Sequence, residues 1–350
     1  MAENPEKRLK SGDMNRVHTP TRRGAVAAGL AAAALSGFGR TAAAASGYDA
    51  ALSRAAALDQ LHALVIADRQ TVLAAKAFRG PALDRPANVK SVSKSIVALL
   101  TGIAIDQGIL PGPAARLGDI APRLIPTGAD PRAADITIAD LLTLRAGLQR
   151  TSGANYGGWV ASRDWVADAL ARPFVADPGA RFLYSTGTTH VLGAVLAERS
   201  GQSLLQLARD WLGAPLDITV PAWTRDPQGR YMGGNNMALA PLALARLGQS
   251  LLNGGAWQGR QVVPSGWLAQ SWTARTRSPF SRHDYGYGWF LTDLAGTRVA
   301  YARGYGGQML YVAPDRGLTV AVTSDPTRPA RSAGYAGTLN RLVTETVLSG

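Results

Sequence analysis

The chain has 350 residues, 46% of them apolar and 17% charged, with 39 Gly, 20 Pro, eight Trp and no Cys. Such a length and apolar fraction exclude a mostly disordered chain and suit one large or two ordinary domains. The missing thiol excludes disulfides, thiolate zinc sites, iron–sulfur clusters, a cysteine nucleophile and a lipidated bacterial amino terminus. A formal charge of +13 raises nucleic acid as a partner, but the excess is diffuse: five lysines and 32 arginines with no basic run. The expectation is an arginine-rich surface and no nucleic-acid partner.

The first 45 residues read as an export address. Arg22-Arg23 precedes a small-residue apolar stretch to Phe38, and Ala42–Ala45 offers a cleavage site before Ser46. That stretch is too short and too rich in Ala and Gly to anchor in a bilayer. It resembles a twin-arginine secretion signal, which implies the twin-arginine export machinery as a partner and a periplasmic or secreted destination, with no membrane anchor.

In the mature chain, residues 50–59 read as a helix, and residues 62–67 and 71–78 as two strands of a hairpin turned at Asp68-Arg69-Gln70. Residues 95–105 are continuously apolar and predict a buried helix, stopped by Gly108 and Pro111. Residues 136–144 predict a helix with Thr137 as its cap. Two amphipathic stretches follow at 191–199 and 204–212, and 238–252 reads as helical up to Asn253-Gly254-Gly255. In the last third, 287–291, 309–312 and 318–322 are short β-rich runs, and 331–348 predicts a terminal helix. The fold class expected is α+β: an antiparallel sheet built from both chain ends, flanked by helices, with an inserted, mainly helical part. The expected division is a sheet subdomain of about 46–90 and 225–350, and a helical one of about 91–224.

Ser91-Val92-Ser93-Lys94 opens the buried helix, and a three-residue step puts the Ser91 hydroxyl and the Lys94 amine on one face. A lysine entering an apolar helix is partly desolvated, which lowers its pKa and makes a neutral amine accessible. That amine can take the serine proton, as acyl transfer requires. Taken alone, Ser-x-x-Lys reads equally well as an N-capping serine and a snorkelling lysine. Tyr184-Ser185-Thr186-Gly187 sits at a loop-to-helix boundary, where the Tyr184 phenol can shuttle a proton between Ser91 and a leaving group. Tyr301-Ala302-Arg303-Gly304-Tyr305-Gly306-Gly307-Gln308 places glycines beside a strand, where a backbone N–H can complete an oxyanion hole.

These three elements together resemble the serine β-lactamase and penicillin-binding-protein superfamily, and most nearly its class C-type esterase and amidase branch with the aminohexanoate-dimer hydrolases. The resemblance extends over residues 60–325 through Gly102–Gly108, Ile136–Thr143 with Gly147-Leu148, Gly233-Gly234-Asn235-Asn236-Met237 and Tyr285–Trp289. It implies Ser91 as acyl-enzyme nucleophile, Lys94 as its proton acceptor and Tyr184 as acid–base partner. It also implies an oxyanion hole from the N–H groups of Ser91 and Tyr305, beside Gly304. Two positions depart from the pattern. Thr186 stands where Asn is common, and the triplet usually built on Lys or His reads Ala302-Arg303-Gly304, so Arg303 is the candidate replacement cation.

Of the remaining polar residues, His62 is expected to be structural, and His190 to lie on the helix after Tyr184 but facing elsewhere. His283-Asp284 is placed at a possible pocket rim. Asn235 and Asn236 are candidates for holding a substrate amide, and Trp159 and Trp289 for lining an acyl pocket. Four scattered histidines without a His-x-x-x-His pair offer no metal site, and no Gly-x-Ser-x-Gly elbow is present. The function expected is an exported, cofactor-free serine hydrolase of small esters or amides. Its alternatives are a β-lactamase or D-alanyl-D-alanine carboxypeptidase and, from another class, a catalytically silent cell-wall peptide-binding protein.

Overall fold

The computed structural model describes residues 47–349. Helix α1 (Asp49–Ala56) leads into strands β1 (Leu61–Ala67) and β2 (Val72–Ala77), and β3 (Ala87–Lys90) runs directly into the buried helix α2 (Ser93–Asp106). The next 130 residues are helical in character, with α3 (Ile138–Leu142), α4 (Trp165–Leu170) and α5 (Thr186–Ser200) as the parts that bear on the site. Strand β4 (Met237–Leu239) and helix α6 (Pro241–Leu252) return the chain to the sheet. Strands β5 (Thr276–Arg277), β6 (Asp284–Tyr285), β7 (Phe290–Leu294), β8 (Thr297–Gly304), β9 (Gln308–Ala313) and β10 (Leu318–Ser324) follow, and α7 (Tyr335–Val343) comes last.

The main sheet, among the described residues, has eight strands in the order β2-β1-β10-β9-β8-β7-β6-β5, with its neighbours antiparallel. The first strand pairs with the last: Val65 lies opposite Ala321, and Ile66 opposite Val320. Alternation along each strand divides the side chains between two cores. Leu64, Ile66, Tyr301, Tyr311 and Val320 face α1 and α7, while Val65, Ala302, Leu310, Val312 and Ala321 face α2 and α6. Burial on both faces is why these strands read as continuous apolar runs rather than alternating ones.

Several boundaries differ from the sequence expectation for physical reasons. Residues 287–289 form a turn, because Gly288 takes a positive φ of 78° and lies so close to α2 that a Cβ would sit 2.6 Å from the Ala98 Cβ. Residues 237–239 are strand rather than helix, because β4 pairs with β3 and Pro241 then starts α6 at its first position. The stretch at 191–199 belongs to α5, which is buried continuously from Thr186 to Leu196 and packs against α2, α3 and α4, so it is not an amphipathic surface helix. Helix α3 is shorter than expected and carries a full capping box between Thr137 and Asp140.

Candidate active site

The site is assembled where β3 turns into α2. Lys90 adopts a positive φ of 51°, a conformation that costs free energy in a residue with a side chain, and this turn presents Ser91 to solvent ahead of the helix. Ser93 holds the turn in place: its hydroxyl donates to the Lys90 carbonyl (2.5 Å) and accepts from the Met237 N–H (3.1 Å). Deeper in the helix, Ser95 donates to the Gly288 carbonyl (2.5 Å), tying α2 to the turn before β7. Ser91 is therefore carried on a buried element bonded on two sides, not on a free loop.

Lys94 is 3% exposed. Its Nζ donates to the Gly234 carbonyl (2.5 Å) and lies 3.4 Å from Ser91 Oγ and 3.5 Å from Thr186 Oγ1. It lies 5.0 Å from the centre of the Tyr184 ring. Among the described residues three oxygen acceptors surround the amine, and no carboxylate does. Burial dominates and lowers its pKa to about 7. Burial pushes the Tyr184 phenol above its ordinary value, while its hydrogen bond with Ser91 and the Arg303 charge pull it down. Near neutral pH the arrangement is a lysine amine able to accept a proton beside a phenol that keeps its own.

Thr186 takes the place of the usual amide. Its Oγ1 pairs with Ser152 Oγ (3.0 Å), and its backbone N–H donates to the same hydroxyl (2.9 Å). Thr151 makes the parallel contact one residue on, accepting from the Gly187 N–H (2.7 Å). The segment 151–152 is thus fastened to the first turn of α5.

A cavity of about 610 Å³ opens over Ser91, a size that suits a small-molecule ligand. Its lining includes Ser91, Tyr184, Thr186, Asn235, Asn236 and Tyr305, so the sequence-predicted residues from four distant segments meet there. Lys90, Arg150, Ser152, Tyr156, Phe280 and Pro326 also line it. These were not legible in the sequence, except that Lys90 adjoins Ser91. Phe280 (59% exposed) and Tyr305 (53% exposed) form an open aromatic rim. Asn235 donates through Nδ2 to the Tyr156 hydroxyl (3.1 Å), while its buried Oδ1 has no partner among the described residues.

Other candidates lie elsewhere. Arg303 does not line the cavity: its guanidinium donates to Ser332 Oγ (2.8 Å) and the Ala330 carbonyl (2.6 Å). Gly304 is a close-approach position, where a Cβ would sit 2.3 Å from the Val89 carbonyl oxygen. It brings β8 against β3, the strand that precedes Ser91. Trp289 is fully buried in the helical core, and Trp159 is fully buried among Trp165 and His190, so neither lines the cavity. His283 bonds the Tyr301 hydroxyl (2.7 Å), Asp284 pairs with Arg277, and His62 packs beneath Gly80. His190 is buried and hydrogen-bonded to Asp226. Among the described residues no cluster of three His, Asp or Glu side chains is arranged to hold a metal.

A family model described as Beta-lactamase matches residues 25–345. The chain belongs to the β-lactamase family. It is a serine hydrolase of that family. No curated protein matches it in sequence. Its fold is similar to that of a protein assigned as a 6-aminohexanoate-dimer hydrolase from Bacillus anthracis, at a TM-score of 0.73 and 15% identity over 85% of this chain and 82% of that one. It is also similar to EstCE1, described as a hydrolase with promiscuous acyltransferase activity, at a TM-score of 0.70 and 19% identity over 87% and 98% of the two chains. A third similar fold is a D-stereospecific amidohydrolase from Streptomyces, at a TM-score of 0.66 and 18% identity over 89% and 99%. Among the described residues, no helix of this β-lactamase-family protein is long and apolar enough to cross a membrane.

Proposed function

We propose that this protein hydrolyses small esters or amides through an acyl-enzyme on Ser91. The observation that carries the reading is the desolvated Lys94 amine, 3.4 Å from Ser91 Oγ and with a pKa of about 7. Ser91 Oγ attacks the substrate carbonyl carbon as its proton passes to the neutral Lys94 amine. The carbonyl oxygen takes the negative charge and is held by the N–H groups of Ser91 and Tyr305. Tyr184 then gives its phenolic proton to the departing oxygen or nitrogen and is reprotonated from Lys94, so the C–O or C–N bond breaks with its proton accounted for. Water attacks the acyl-enzyme with the same groups as base, releasing the acid and restoring Ser91.

Two features of the cavity support an amide among the substrates. Asn235 lines the cavity and its Oδ1 has no partner among the described residues, so an amide N–H that reached it would satisfy it where an ester oxygen would not. The aromatic rim of Phe280 and Tyr305 suits the apolar part of such a molecule. Arg303 is engaged by Ser332 Oγ and the Ala330 carbonyl, so the third motif supplies no cation to the cavity, and the cations that line it are Lys90 and Arg150. The intact Ser91, Lys94 and Tyr184 set argues against a silent binding protein. Export through the twin-arginine machinery to the periplasm or medium belongs to the same proposal. It concerns residues outside those described.

The test is covalent labelling of Ser91 with a fluorophosphonate, read by mass spectrometry, alongside hydrolysis of paired short-chain 4-nitrophenyl esters and anilides. Labelling and turnover are expected in the wild type, with both lost in Ser91→Ala by a factor of about 10⁴ or more. Turnover that survives the substitution refutes the assignment of the nucleophile.

A further inference from the structure

Behind the Gly233-Gly234 turn lies a polar cluster that the acyl-transfer steps do not use. His190 and Asp226 side chains are both completely excluded from solvent and pair through Nε2 and Oδ2 at 3.1 Å. The Gly233 N–H donates to His190 Nδ1 at 3.3 Å. An imidazole that accepts through Nδ1 carries its proton on Nε2, which is the atom facing the carboxylate, so the two bonds are consistent with one tautomer. Trp159 and Trp165 meet the ring edge-on at 5.8 and 5.6 Å and block its rotation. Asp226 is itself fixed, accepting from the Arg230 N–H (2.7 Å) and lying 3.4 Å from the Arg230 guanidinium. Burial alone would raise the Asp226 pKa, but the bonds from His190 and Arg230 outweigh it and hold the carboxyl below its ordinary range.

The turn has no freedom to relax toward α5. A Cβ on Gly233 would fall 2.5 Å from the Thr189 carbonyl oxygen, and one on Gly234 would fall 2.6 Å from that of Thr186 and 3.2 Å from Lys94 Nζ. One residue on, the Gly234 carbonyl receives Lys94 Nζ at 2.5 Å. We infer that His190 is a positioning residue for the hydrolytic centre: braced by Asp226, it holds the Gly233 N–H and thereby aims the Gly234 carbonyl at Lys94. The inference rests on the reading of Lys94 as proton acceptor. The ionisable groups around Lys94 are Tyr184 from the segment before α5 and Lys90 at the end of β3. Arg303 of β8 acts on Tyr184, and Asp226 lies on the far side of the turn. Exclusion of water is what lowers the lysine, and a loosened turn would readmit it.

The experiment compares His190→Asn, His190→Gln and His190→Leu by the pH dependence of kcat/KM for a 4-nitrophenyl ester, with Tm measured in parallel. The Asn amide oxygen occupies the δ position and keeps the bond from Gly233, whereas the Gln amide reaches Asp226 at the ε position and gives up Gly233. Leu makes neither bond. Gln and Leu are expected to lower kcat about tenfold with KM changed less than about threefold, and to move the acid limb up by about half a pH unit or more. Asn is expected to keep the wild-type limb even where its Tm falls. If every variant that folds keeps the wild-type limb and only Tm drops, or if Asn and Gln shift alike, the positioning role is refuted. Fluorophosphonate labelling of the wild type separates the two ideas. An unlabelled wild type refutes the hydrolase reading, whereas a labelled wild type with unmoved limbs refutes only this inference.

Discussion

Lys94 and His190 sit on opposite sides of one glycine turn, and both are almost completely buried, yet they are treated in opposite ways. His190 has a carboxylate partner whose oxygens also bind Arg230, so that cluster is satisfied within itself. Lys94 has only neutral oxygens around it, and burial brings its pKa down to about 7. A buried imidazole bonded at both ring nitrogens is held in one orientation and serves as scaffold. A buried amine without a counter-ion gives its proton up near neutrality and becomes available for chemistry. The two buried clusters thus stand back to back, with only Gly233 and Gly234 between Lys94 and His190.

The sharpest way to break this comparison is to remove the unpaired cation. Lys94→Met is expected to lower kcat/KM by about 10³-fold or more while raising Tm at pH 7 by roughly 5 °C, since an uncompensated buried amine is replaced by an apolar side chain of similar length. The sign follows from linkage. The native lysine loses its proton near 7 and the unfolded one near 10.5, so the unfolded state holds more protons between those values and wild-type stability rises with pH across that window. Denaturation of both proteins between pH 7 and 10 should show the rise in the wild type alone. A Tm that falls in Lys94→Met contradicts the view of Lys94 as a destabilising, functional group.

Removing the anion from the paired side should act in reverse. Asp226→Ala is expected to destabilise by about 3 kcal/mol, measured by urea unfolding, because it strands His190 and the Arg230 N–H in a dry environment. A stability change below about 1 kcal/mol would mean that the cluster is not the satisfied unit described here. Titration offers a gentler test. In the wild type, kcat/KM should rise with pH through a limb near 7, as Lys94 deprotonates, and a steady-state profile with its limb near 4 or above 9 contradicts Lys94 as base. The smallest effect is expected at Arg303, which serves Ser332 and Ala330 rather than the cavity. Arg303→Met should change kcat/KM for neutral esters by less than about fivefold and cost about 1 kcal/mol of stability.

Much of this was legible in the residues. Ser91 and Lys94 are three apart on a helix, so their proximity is a local property that periodicity alone reveals. The central strands could be read from their apolar runs, and the family pattern placed Tyr184 and Tyr305 near the nucleophile. The turn at Gly288 and the strand at Met237–Leu239 were misjudged because both are decided by a neighbour: the Ala98 face of α2 in one case, pairing with β3 in the other. Trp159, Trp289 and Arg303 carry side chains as suitable for a pocket as those of Tyr156 and Phe280, and only the packing sends the first three away from the cavity.

The sequence by itself therefore determined the α+β class, from the order of its apolar runs, and the apolar helix that desolvates a lysine with a serine three residues before it, which depends on contacts within a turn of chain. It also confined the cationic chemistry, since only three lysines follow residue 45 and one of them is Lys94. Tertiary structure decided which arginine faces the site, which tryptophans are merely core, and that His190 stands behind Lys94 with only two glycines between them. Those outcomes depend on contacts tens to hundreds of residues apart, where burial and hydrogen bonding override what any single segment prefers.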